Sequence, residues 1–193
     1  MRAVSSVALM ASNDKFELRG VHHIALVCSD MAQTVRFYRD VLGMPLVKTL
    51  DLPGGVGQHF FFDMGNDDCL AFFWFRGAPA AQPGVASAAP DISRAVSAHA
   101  SMNHLAFEVP LERFEEYRER LIDAGIEVTP VIDHDDSPTQ MASEFHPGVF
   151  VRSYYFRDPD GVLLEFAAWT REMGRPGDVA VPPVDADGHH VEV

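Results

Sequence analysis

The chain has 193 residues, 47% apolar, with 28 Asp and Glu against 15 Lys and Arg and a formal charge of −13. That length fits one domain or two small half-domains sharing a core, and the charge repels nucleic-acid phosphates and anionic membranes. No apolar run approaches the roughly 18 residues of a membrane helix, so a soluble protein is expected, with neither nucleic acid nor membrane as partner.

Residues 1–19 have no strong periodicity and read as an N-terminal arm; MRAVSSVALMASN is too short and weakly flanked for a secretory signal, and Met10 offers a second start. Cys28 and Cys69 form no CxxC pair, and two buried thiols suit a reducing cytoplasm. The first module spans 20–76. Val21–Ser29 is strand-like, and Asp30 to Gln33 is a capping-box pattern before a helix with Met31, Val35, Tyr38 and Leu42 at helical spacing. Gly43 closes that helix. Leu46–Leu50, His59–Asp63 and Cys69–Phe75 follow as strands, with a glycine-rich loop at Pro53–Gly57 and a turn at Gly65–Asp68.

Residues 77–102, rich in Ala, Pro and Ser, read as a linker. The second module, 103–171, repeats the order. Asn103–Val109 is a strand, Leu111–Ala124 a helix stopped by Gly125, and Ile126–Ile132 a strand; His134–Pro147 is a polar loop. Arg152–Arg157 and Val162–Trp169 form a hairpin around the turn Asp158-Pro159-Asp160-Gly161. Residues 172–193 are rich in Pro, Gly and Asp and read as a disordered tail.

The repeat directs attention to three residues. His23-Ile-Ala matches His104-Leu-Ala, and the helix-ending glycine follows 20 residues later in one copy and 21 in the other. Strand alternation places Leu105, Phe107 and Val109 toward the helix and His104 on the opposite face; Ile24, Leu26 and Cys28 do the same for His23. His22 falls on the wrong parity. Glu165 sits in an apolar strand, where a carboxylate needs a cation or hydrogen bonds. Aligning the last strands sets Phe72 opposite Glu165 and Trp74 two residues beyond, which suggests an aromatic cup with His59 nearby. Two imidazoles and one carboxylate, His23, His104 and Glu165, form a facial set that leaves metal positions open. A lone strand histidine is more often a hydrogen-bonded structural residue, and His22, His59, His99, His134, His189 and His190 keep that reading, although His59 lies near the expected cup. Phe72 and Trp74 are as readily core as cup.

The H-[IL]-A strand starts, FYRDVLGM at Phe37–Met44 and DPDGVLLEF at Asp158–Phe166 resemble the vicinal oxygen chelate superfamily over about residues 20 to 170. That group includes glyoxalase I, bleomycin and fosfomycin resistance proteins and extradiol dioxygenases. The resemblance implies an α+β fold, two tandem βαβββ modules forming an incomplete barrel around a metal held by His23, His104 and Glu165. The stretch His146…Tyr155…Glu165 is similar to the extradiol signature, with Glu144 and Tyr154 departing from it and with Phe73–Phe75 where an acid-base histidine is expected. It implies an iron(II) enzyme that cleaves a small aromatic diol with dioxygen, using His146 and Tyr155 as catalytic groups; a homodimer is expected, and the linker permits two modules to close one cup within a chain or to be shared between subunits. The alternatives are a glyoxalase-like isomerase or lyase using manganese, zinc or nickel on a non-aromatic chelating substrate, and a metal-free protein binding an aromatic compound.

Overall fold

The structure is a computed structural model, and it describes residues 15–88 and 97–192. Part of the expected linker, 89–96, and most of the N-terminal arm lie outside the described residues. The first module runs β1 (His23–Val27), α1 (Met31–Val35, continued by a π-helical stretch Arg36–Val41), β2 (Leu46–Asp51), β3 (Gly57–Gly65) and β4 (Asp68–Phe75). The second runs β5 (Leu105–Glu108), α2 (Phe114–Asp123, entered by a 3-10 turn), β6 (Ile132–His134), β7 (Val151–Arg157) and β8 (Leu163–Trp169). The expected tandem βαβββ modules are therefore present, as two open four-stranded sheets ordered β1-β4-β3-β2 and β5-β8-β7-β6.

Local chemistry accounts for the element ends. Asp30 caps α1, its Oδ1 accepting from Gln33 N–H at 2.9 Å. Gly43 and Gly125 end the helices at φ of 74° and 78°, where a side chain would be strained. The wider π-helical turn buries two successive residues, Phe37 and Tyr38, against the sheet. Tyr38 packs on Phe72 with ring centres 4.7 Å apart. In the second module Phe114 and Tyr154 repeat the arrangement, also at 4.7 Å. One apolar cluster runs through both modules.

Two regions differ from the sequence reading. The strand expected at Ile126–Ile132 is confined to Ile132–His134; upstream, Thr129 instead trades bonds with Tyr155, N–H to O at 3.0 Å and Oγ1 from N–H at 2.9 Å. The tail expected to be disordered is tied to the end of the second module by an ion pair, Arg171 Nη2 to Asp178 Oδ1 at 2.8 Å, with both side chains 9% exposed.

The modules join at the ends of β1 and the β7–β8 turn. The Tyr38 hydroxyl donates to Asp158 Oδ2 at 3.0 Å, and Ser29 N–H donates to both Asp160 oxygens at 3.2 and 3.0 Å. Burial pushes the Asp158 carboxyl up to about 6, although bonds from Val162 N–H and Tyr38 pull the other way.

Candidate metal centre

Register assigns the side chains to faces. In the second sheet Ala106 pairs with Glu165, and Tyr155 pairs with Glu165 from the other side, so Tyr155, Glu165 and the face of β5 that begins at His104 coincide. Tyr154 points the other way, into the core against α2, which explains an aromatic at that position. His104 Nε2 lies 2.9 Å from Glu165 Oε2, and Glu165 is buried while His104 stands at the rim.

Each partner is held from behind. Asn103 Oδ1 is 2.8 Å from His104 Nδ1, and the buried Ser153 hydroxyl donates to Glu165 Oε1. Asn103 and Ser153 carry no signal in the sequence; both are neighbours of the pair, one next to His104 along the chain and one on β7, the strand paired with that of Glu165. The Glu165 hydrogen bond holds the His104 imidazole above its ordinary range against the effect of burial. Burial works against the Glu165 charge, but bonds from His104 and Ser153 prevail and keep the carboxyl below its usual range. Burial, then the Glu165 charge, pushes the Tyr155 hydroxyl up to about 12, so it stays a phenol at neutral pH.

The donor set fits a divalent cation. Ligand bonds of ~2.1 Å at about 90° place two donor atoms ~3 Å apart, the spacing of His104 Nε2 and Glu165 Oε2. The bonds from Asn103 and Ser153 are the outer partners such ligands need. With His104 Nδ1–H given to Asn103, the bond to Glu165 requires a second proton on Nε2, and a cation would take that proton's place.

His23 is not brought to this pair. Among the described residues the only three His, Cys, Asp or Glu side chains with ligand atoms mutually within 4.8 Å are Asp185, Asp187 and His189 in the exposed tail. His23 stays exposed on its own sheet, its Nδ1 2.8 Å from His22 Nδ1.

The aromatic face is real, with different members. Register pairs His23 with Cys69, Ala25 with Ala71 and Val27 with Phe73, so Ala71, not Phe72, is the counterpart of Glu165. Phe72 is buried in the core against Tyr38, and Trp74 shares its face, donating Nε1–H to Ser29 O at 3.1 Å. The face of His23 carries a row of rings instead. Phe61 lies 6.2 Å from His23 and 4.2 Å from His59; His59 stacks on Phe73 at 3.6 Å, and Phe73 on Phe75 at 5.2 Å. His59 lies on the face of His23, its Nε2 buried without a hydrogen-bond partner and its basicity lowered by burial and by His23.

His146 stands apart from the pair's immediate partners. Its Nε2 is 3.1 Å from Asp135 Oδ2, and its Nδ1 accepts from Gly148 N–H at 3.0 Å, so neither ring nitrogen is free. A Cβ at residue 148 would lie 2.8 Å from the His146 ring, so glycine there permits that fold-over.

Two open βαβββ sheets, the second carrying a histidine–carboxylate pair, define the class of the fold. A sequence model of the Glyoxalase/Bleomycin resistance protein/Dioxygenase superfamily matches residues 20–166, and the chain belongs to that superfamily. Metallothiol transferase FosB of Shouchella clausii is 27% identical over 148 residues, 77% of this chain and 79% of that protein. MhqE of Bacillus subtilis, with a proposed ring-cleaving dioxygenase activity, is 30% identical over 113 residues, 55% of this chain and 32% of its own. A glyoxalase family protein from Enterococcus faecalis superposes with a TM-score of 0.56 at 27% identity, covering 77% of this chain and 97% of that one. FosX of Listeria monocytogenes, crystallised with Mn(II) and sulfate, shares the fold at 21% identity and a TM-score of 0.52, covering 80% and 96%. No helix among the described residues is long and apolar enough to cross a membrane.

Proposed function

We propose that this chain is a metal-dependent enzyme of the superfamily, of the extradiol type, acting on a small aromatic diol in the cytoplasm. The observation that carries it is the His104–Glu165 pair at 2.9 Å, each member anchored by a neutral outer partner. His104 and Glu165 would hold the ion, with His23 as third ligand. Iron(II) bound there would supply open positions at which a vicinal diol and dioxygen meet. Tyr155, a phenol at neutral pH, donates a hydrogen bond to a substrate oxygen beside Glu165. The Phe61–His59–Phe73–Phe75 row offers a flat ring stacking partners. His146 would act as the acid only after leaving Asp135.

The third ligand is supplied by a second copy in this reading. Within one chain His23 does not reach the pair, while Val27, Leu50 and Phe75 on its face are 51%, 41% and 37% exposed. A homodimer that lays the first sheet of one copy over the second sheet of the other covers those groups and completes the ligand set.

A second reading, metal-dependent thiol transfer with manganese, zinc or nickel, is favoured by the likeness to FosB over most of both chains. The rings on the cup face fit a planar apolar substrate better than a phosphonate, which calls for clustered cations. Protein reconstituted anaerobically with iron(II) should consume oxygen and give yellow ring-opened products from catechols. Thiol transfer to fosfomycin without oxygen uptake would decide for the second reading. Metal retained at full stoichiometry in both His104→Ala and Glu165→Ala would reject the site.

A further inference from the structure

His22 faces away from the cup by strand parity and has no part in the reaction above, yet its ring meets His23 at one atom. The two Nδ1 atoms are 2.8 Å apart. In the second module Asn103 occupies the same place, one residue before the ligand histidine, and its Oδ1 is 2.8 Å from His104 Nδ1. Asn Oδ1 and His Nδ1 sit at the same covalent position, one bond beyond Cγ, and each can accept a hydrogen bond.

The metal reading sets the polarity of the contact in the second module. Asn103 Nδ2 donates to Ser97 Oγ at 3.3 Å, which turns Oδ1 toward His104 as an acceptor. A cation held by His104 Nε2 leaves the neutral ring's proton on Nδ1, to be donated to Asn103 Oδ1. An N···N contact of the length seen at His22–His23 needs one N–H and one lone pair. With the same polarity, His23 donates from Nδ1, His22 accepts on Nδ1 and keeps its own proton on Nε2, and His23 Nε2 is left with a lone pair for a cation.

We propose that His22 is a positioning residue for the metal site, setting the tautomer and ring angle of His23 as Asn103 does for His104. This rests on the metal reading above. His22 does not touch the ion or the substrate; it acts through His23.

The test uses the full-length protein and cobalt(II), with affinity from chelator competition and the visible spectrum as a report on ligand number. His22→Leu removes the acceptor at similar size, and His22→Asn restores it in the form found at position 103. Loss of an outer partner of a metal-ligating histidine costs ~10–100-fold in affinity, so that loss is expected in His22→Leu and in Asn103→Leu, with His22→Asn close to wild type. Equal affinity in His22→Leu and wild type, or equal loss in His22→Leu and His22→Asn, would overturn the assignment. Glu165→Ala is the control that separates the two ideas. If it abolishes cobalt binding while His22→Leu does not, only the role of His22 falls; if it leaves binding intact, the metal reading falls and this one with it.

Discussion

Ser153 gives the simplest view of how one side chain tunes the centre. It is fully buried, and its hydroxyl is spent on the Glu165 oxygen that His104 does not use. Ser153→Ala would leave that oxygen desolvated and unpaired, at a cost of roughly 1–3 kcal/mol in stability. As an outer partner of the metal carboxylate it should also lower metal affinity ~10-fold or more. Metal titration and thermal melts of the variant check both, and unchanged affinity would count against Glu165 as a ligand. Glu165 was legible in the sequence because a carboxylate inside LLEF has no cheap explanation. Ser153 was not, because a serine in a strand is ordinary until its partner across the ladder is known.

Strands β3 and β4 carry the aromatic row, and their pairing depends on Gly57. A Cβ at that position would lie 2.0 Å from Trp74 O, a backbone atom that cannot swing away. Gly57→Ala should therefore cost about 2 kcal/mol or more, by forcing apart the Gly57–Phe75 and Gln58–Trp74 pairs. Chemical denaturation would measure it, and a midpoint within error of wild type would refute the close approach. The same two strands show where reading by pattern fails. CLAFFWF is apolar on both faces, so its period of two leaves no mark, and a slip of one residue exchanges core for cup. That slip is why Phe72 and Trp74 were expected where Ala71 and Phe73 stand. The helices were legible because their caps, Asp30, Gly43 and Gly125, impose backbone conformations that few residues accept.

At the scale of the molecule two predictions concern how modules meet. The Asp158 carboxyl bridges them through Tyr38 and titrates near 6 because it is buried. A folded-state value above the unfolded one means that between about pH 4 and 6 the native protein holds a proton the unfolded chain has lost. Stability from this group is thus fullest below about pH 4 and declines as pH rises through about 6, by on the order of 3 kcal/mol. Asp158→Asn should flatten that decline, so its melting temperature relative to wild type should rise between pH 5 and 8; parallel curves would exclude Asp158 as the titrating group. The second prediction concerns the dimer. If each site takes His23 from the partner, mixing His23→Ala with His104→Ala protein restores one intact site per mixed dimer, whereas sites closed within one chain stay broken. Recovered metal binding in the mixture, against none in either variant alone, is the expected result.

The amino-acid sequence by itself determined the repeat, the helix ends, the hairpin at Asp158–Gly161 and the residue types of the centre. Each depends on local backbone preference or on the cost of burying a charge, and both act within a few residues. Only the tertiary structure decided which face of β4 is inward, which neighbours hold His104 and Glu165, and that His23 lies out of their reach in one chain. Those outcomes depend on register between strands far apart in sequence and on the docking of Tyr38 against Asp158, 120 residues away. No local pattern encodes them.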